Sequence, residues 1–137
     1  MSDTPYDVIG GAPRARLLAR RFYALMAEHE PELLAVHALD ADGKVSEATQ
    51  ERFERFLLEW LGGPDDYSSR HGHPRLRMRH QHVAVTSRLA EAWVRTMCRA
   101  LDDVCIDGEM RAFLEERFRH VAFFLRNAPG GEDPAER

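Results

Sequence analysis

The apolar residues of this chain follow one period. They recur at three- and four-residue intervals along most of its length, with no sustained period-two alternation. Residues at i, i+3, i+4 and i+7 share one face of an α-helix, whereas a half-buried strand alternates at every second position. The chain is therefore expected to be all-α. Leu18, Phe22, Leu25 and Met26 form the inner stripe of a helix over 14–28, with Pro13 where a helix start tolerates it. Phe53, Phe56, Leu57 and Trp60 form the stripe of a second, over 46–61, which Ser46 can cap. Gly62-Gly63-Pro64 ends that helix, because glycine takes the left-handed conformation and proline cannot continue the ladder. Two more helices are expected over 87–104 and 108–127. The first turns Leu89, Trp93, Met97, Ala100 and Leu101 inward. The second turns Met110, Phe113, Leu114, Phe118, Val121, Phe124 and Leu125 inward, with Asp107 as its cap. Ahead of them all, Tyr6-Asp-Val-Ile-Gly-Gly11 reads as a short helical turn stopped by two glycines.

A chain of 137 residues suits one domain, expected over 1–128, with a glycine-, proline- and acid-rich tail over 129–137 expected to be disordered. The net charge of −4 argues against nucleic acid as a partner, since phosphate binding calls for a basic excess. Cys98 and Cys105 lack a disulfide framework and read as reduced thiols. No apolar run is long enough to cross a bilayer, and the first residues lack a signal-peptide pattern. The expectation is a cytoplasmic protein with no membrane association.

Two stretches break the helical pattern. Residues 31–45 carry the turn signal Asp40-Ala-Asp-Gly-Lys44. Residues 64–86 are polar, with at most a short helix after Pro74, and a loop of that length in a small domain is usually functional. Within it, Arg70-His-Gly-His-Pro-Arg-Leu-Arg-Met-Arg-His-Gln-His82 holds four of the seven histidines together with four arginines. If residues 74–82 make about two turns, Leu76 and His80 share a face, Val83 continues it, and Arg75 and Arg79 lie beside it. An apolar-flanked imidazole next to a guanidinium suits an axial ligand to a flat cofactor with carboxylates on its rim. Three other readings stand beside this one. His71, His73, His80 and His82 could form a zinc site, although i and i+2 side chains diverge on a helix. The arginines could meet nucleic acid, although no aromatics interleave them. The segment could also be a solvated polar loop with incidental histidines.

Five motifs, in order, carry a resemblance: Tyr6-Asp-Val-Ile-Gly-Gly11, Arg21-Phe-Tyr-Ala-Leu-Met26, Phe56-Leu-Leu-Glu-Trp-Leu-Gly-Gly-Pro64, Gly72-His-Pro-Arg-Leu-Arg-Met-Arg-His80 and Ala92-Trp-Val-Arg-Thr-Met97. Together they resemble the group II truncated haemoglobins. The resemblance implies a two-over-two helical sandwich around haem b (iron protoporphyrin IX). It implies that His80 is the proximal iron ligand, with His71, His73 and His82 in loop or surface roles. It implies that Arg79 pairs with a haem propionate, that Tyr67 helps hold the same end, and that Phe56 and Leu76 line the haem. Tyr23 and Trp93 match the two distal hydrogen-bond donors, and Thr49 and Phe53 match distal-helix residues over the haem. His37 aligns with a ligand-facing position ahead of the distal helix. The stretch 37–53 is about four residues longer than the family pattern, which leaves the register of His37 open. Trp60 is read as packing.

The function so implied is binding of dioxygen and other small diatomic ligands at a five-coordinate ferrous iron with a polar distal pocket. The alternative is a peroxidase-like or nitric oxide dioxygenase enzyme. The chain has no flavin- or nicotinamide-binding glycine motif, so that reading needs a separate reductase.

Overall fold

The computed structural model describes residues 3–72, 75–81 and 83–128. Eight helices run through the described residues: α1 (Pro5–Ile9), α2 (Gly11–His29), α3 (Pro31–Leu34), α4 (Glu47–Trp60), α5 (Asp66–His71), α6 (Leu76–Arg79), α7 (Ser87–Asp103) and α8 (Gly108–Phe124). The four long ones make two layers. The α2 helix packs on α4 and on α7, and α7 packs on α8. Their shared core holds Leu18, Phe22, Met26, Leu57, Leu61, Met97, Leu101 and Leu114, all fully buried. The stripes expected on α2, α4 and α7 are the faces found inside, because a stripe at helical spacing has only one way to leave water.

The Gly-Gly-Pro stop is a contact as well as a terminus. The Tyr6 N–H donates to the Leu61 carbonyl at 2.9 Å, so α1 rests on the end of α4. A Cβ at Gly63 would stand 2.5 Å from the Tyr6 ring and 2.9 Å from the Leu58 carbonyl oxygen, so no side chain fits there. The Tyr6 and Gly-Gly motifs, 56 positions apart, are two halves of one joint.

Several boundaries and faces differ from the sequence-based expectation. The α2 helix begins at Gly11 rather than Arg14, because Gly10, at φ 115°, ends α1 and opens α2 in one residue. The stretch 31–45 contains α3 and a tight turn in which Asp40 Oδ1 accepts from the Asp42 and Lys44 N–H groups at 2.8 and 3.0 Å. The polar stretch 64–86 contains α5 in addition to a helix after Pro74. That later helix is one turn, α6, opened by Arg75 in the left-handed region at φ 46°. Asp107 stands at the N-cap of α8 without a side-chain cap bond, whereas Ser46 accepts from the Thr49 N–H as expected. Phe113 and Phe124 face outward, at 46 and 52% exposure. They are eleven residues apart, close to three full turns, so they share a stripe, and that stripe is off the buried one of Leu114 and Phe118. Guanidinium groups of Arg117 and Arg77 lie over the two outward rings. Trp60 stacks on Phe118 with centroids 4.7 Å apart, in the packing role expected of it. Cys98 and Cys105 are free thiols.

One buried charge pins the corner between α2 and α3. Glu30 is 9% exposed and accepts from Arg95 of α7 with both oxygens, at 2.7 and 2.8 Å. Its carboxyl is held below its ordinary range by the Arg95 hydrogen bonds, against the opposing effect of burial. No helix is long and apolar enough to cross a membrane among the described residues.

Candidate functional site

A cavity of about 400 Å³ opens between the two layers. Its residues come from all the helices from α2 to α8 and from the segments that follow α3, α6 and α8. The size and mostly apolar wall are those of a site for a large organic ligand.

One wall is aromatic. Tyr23 meets Phe53 at 5.4 Å and His37 at 5.9 Å, both edge-on. Phe53 stacks with Phe56 at 6.4 Å, and Phe56 meets Tyr67 at 5.6 Å. All five line the cavity, joined by Thr49, whose Oγ1 accepts from Ser46 Oγ at 2.9 Å and whose small side chain leaves room. Another wall is aliphatic: Leu76, Val83, Val85, Leu89, Val121 and Leu125.

His80 belongs to that second region, immediately after α6. Its Nδ1 lies 2.7 Å from the Leu76 carbonyl oxygen. A carbonyl only accepts, so Nδ1 carries a proton, and in the neutral ring Nε2 is the nitrogen with the lone pair. This is the tautomer a metal-binding imidazole needs, with its second nitrogen already oriented by an acceptor. The predicted i, i+4 relation of Leu76 and His80 therefore holds, with the Leu76 backbone doing the orienting.

His37 repeats the device. Its Nδ1 lies 2.8 Å from the Leu33 carbonyl oxygen, so its Nε2 is also a lone-pair acceptor while the ring is neutral. Burial holds its pKa down, only partly offset by the Leu33 bond, and the neighbouring His80 pushes in the same direction as burial.

Two donors also line the cavity. The Tyr23 side chain is almost fully buried and lines the cavity. Burial drives the phenol pKa far above its ordinary value, so it stays protonated as a donor. Trp93, partly buried, packs on Phe22 at 5.1 Å and on Phe118 at 5.6 Å and lines the same cavity.

Every candidate whose side chain is described — Tyr23, His37, Thr49, Phe53, Phe56, Tyr67, Leu76, His80 and Trp93 — lines this one cavity. The side chain of Arg79 and the whole of His73 and His82 lie outside the described residues. Tyr67 also packs at a tilt against His71, with centroids 4.9 Å apart, which gives that histidine a packing contact. Among the described residues no three His, Cys, Asp or Glu side chains gather as a metal-binding group.

Arg52 was not among the residues picked out from the sequence. It lines the cavity, and its charge reaches the Tyr23 phenol. The signal was present: Thr49, Arg52, Phe53 and Phe56 stand at i, i+3, i+4 and i+7, so one arginine interrupts an otherwise uncharged inner face. The residues fit a flat apolar cofactor with acidic edges. The aromatic wall would stack on its faces, His80 Nε2 would offer a metal ligand, and Arg52 would meet a carboxylate at its edge.

Comparison with known proteins agrees with this arrangement. A family model described as bacterial-like globin matches residues 4–127. The chain is 35% identical over 131 residues to a group 2 truncated haemoglobin of Bacillus subtilis (strain 168), covering 96% of this chain and 94% of that protein. The crystal structure of the group II truncated haemoglobin from Bacillus anthracis superposes with a TM-score of 0.88 at 34% identity, covering 100% of this chain and 99% of that one. That of a truncated oxygen-avid haemoglobin from Bacillus subtilis superposes with a TM-score of 0.81 at 35% identity, covering 91% of this chain and all of the other.

Proposed function

This chain belongs to the bacterial-like globin family, among the group II truncated haemoglobins, and on that premise we propose that it retains dioxygen in a hydrogen-bonding pocket over haem b held by His80. Haem, when bound, supplies an iron that takes a diatomic ligand at its open position.

The observation that carries the reading is the pairing of His80 with the Leu76 carbonyl, which leaves Nε2 as a lone pair beside an apolar cavity. His80 is the single protein ligand in this proposal. His37 carries a similar lone pair but serves the pocket as a neutral acceptor beside Tyr23. Tyr23 and Trp93 supply O–H and N–H groups to the diatomic ligand. Dioxygen bound to a ferrous centre carries partial negative charge, so each donor strengthens its hold. Arg52 meets a carboxylate at the cofactor edge, with Arg79 and Tyr67 assigned to the same task by resemblance. A structurally similar truncated haemoglobin from Bacillus subtilis is described as oxygen-avid, which supports dioxygen as the ligand and retention as the property. The enzymatic alternative is the reading that calls for a separate reductase.

The test is optical. The purified protein should show a Soret band and bind dioxygen reversibly when reduced. His80→Ala should lose haem or lose its nitrogen axial ligand; an unaltered spectrum in that variant refutes the assignment.

A further inference from the structure

The segment that carries His80 is poorly supported by its own helix. The α6 helix is a single turn, its N-cap Arg75 makes no side-chain cap bond, and so short a helix does not hold itself in water. Its place must be set from outside. Asn127, just beyond the end of α8, reaches that segment at three residues. Its Oδ1 accepts from the Val85 N–H at 2.8 Å. Its Nδ2 donates to the His80 carbonyl at 3.2 Å and to the Val83 carbonyl at 3.0 Å. The backbone N–H groups of Asn127 and Ala128 both donate to the Val85 carbonyl, at 2.9 and 3.3 Å. The amide orientation is fixed by these partners, since one is a donor and two are acceptors.

We propose that Asn127 is a positioning residue for His80: by tying the backbone at residues 80, 83 and 85 to the end of α8, it sets where the His80 imidazole stands relative to haem in the cavity. The inference rests on the proposed role of His80. Two layers of control then act on one ring. The Leu76 carbonyl fixes its rotation and tautomer, and Asn127 fixes the backbone that carries it. An amide suits this task because it offers one acceptor and two donors from a single planar group. Aspartate keeps the acceptor and loses both donors; alanine loses all three. The side chain is exposed, so water replaces its bonds at small cost to folding. Removing it should therefore move the histidine more than it weakens the protein.

The test compares Asn127→Ala and Asn127→Asp with Arg119→Gln in the full-length, haem-loaded protein. Arg119 is a control within α8 itself, paired with Glu91 and not with the loop. The decisive readout is the ferrous iron–imidazole stretching band in resonance Raman spectra. It should shift or broaden in both Asn127 variants and stay in place in Arg119→Gln. Transfer of haem to an acceptor globin should run roughly fivefold faster in Asn127→Ala. Hydrogen exchange at the Val85 amide should quicken roughly tenfold in Asn127→Ala, as expected for loss of one net hydrogen bond, and little in Asn127→Asp, which keeps the acceptor. An unmoved band in both Asn127 variants, or an equal change in Arg119→Gln, overturns the proposal. If Asn127→Ala does not fold, the Raman band of Asn127→Asp decides by the same rule. If the purified protein takes up no haem, the haem reading fails by itself. The Val85 exchange rate in that sample still judges the tie, and an unchanged rate in Asn127→Ala overturns it.

Discussion

Tyr23→Phe removes one oxygen atom and leaves the ring. The ring contacts with Phe22 at 5.2 Å, Phe53 at 5.4 Å and His37 at 5.9 Å all survive the change, so the wall of the cavity should keep its shape. What is lost is a donor that stays protonated because burial disfavours its charged form. A hydrogen bond to a partly charged acceptor contributes about 1.5–3 kcal/mol, and each 1.4 kcal/mol is a factor of ten. Dioxygen dissociation should therefore quicken roughly 10- to 150-fold. The lower half of that range is expected, because Trp93 lines the same cavity and remains able to donate. Stopped-flow displacement of dioxygen by carbon monoxide measures the rate directly. The companion Trp93→Phe should quicken it several-fold, and the double variant should exceed the product of the two, since each donor partly compensates for loss of the other. The rate in the unmodified protein should stay flat through about pH 10, where an ordinary phenol would already be half ionised. A change of less than about twofold in Tyr23→Phe would refute the donor role and leave the residue as packing.

Two further outcomes are expected. Arg52→Ala should speed haem loss about three- to tenfold at low ionic strength, with the gap narrowing above roughly 0.5 M salt, because the guanidinium is exposed and its attraction is screened; a salt-independent effect in haem-transfer assays would assign Arg52 to packing instead. Glu30→Gln should cost about 1–2 kcal/mol at pH 7, since Arg95 is half-exposed and the pair is only partly desolvated. The folded state holds the Glu30 pKa below its unfolded value, so this contribution is full above the ordinary carboxylate range and is lost as pH falls through the folded pKa. Urea melts at pH 7 and at about pH 3 should show the two proteins converging at the lower value; a constant difference contradicts the linkage.

Much of the site was legible before the fold was known, for a physical reason that differs by residue. Tyr23, Phe53 and Trp93 lie on apolar stripes, so helical period placed them inside, but period cannot tell a core aromatic from a cavity wall. Their role came from motif resemblance. His80 was singled out in the same way, and its tautomer was not, because that depends on a hydrogen bond to the Leu76 carbonyl. Arg52 was missed because an arginine on an amphipathic helix reads as a solvated face. Asn127 was missed because no local pattern marks a side chain whose partners lie more than forty positions earlier in the chain. Phe113 and Phe124 were misjudged because α8 carries apolar residues on more than one face, and sequence does not say which face its neighbour takes.

By itself the sequence determined the all-helical class, the four long helices and the hard stop at Gly62-Gly63-Pro64, because period, capping and chain stereochemistry act over a few residues. Only the tertiary structure decided which aromatic faces are left lining a cavity instead of closing on one another. It also decided which imidazole nitrogen keeps its lone pair and how a one-turn helix is held in place. Those outcomes depend on groups brought together from distant parts of the chain, and no local rule encodes their meeting.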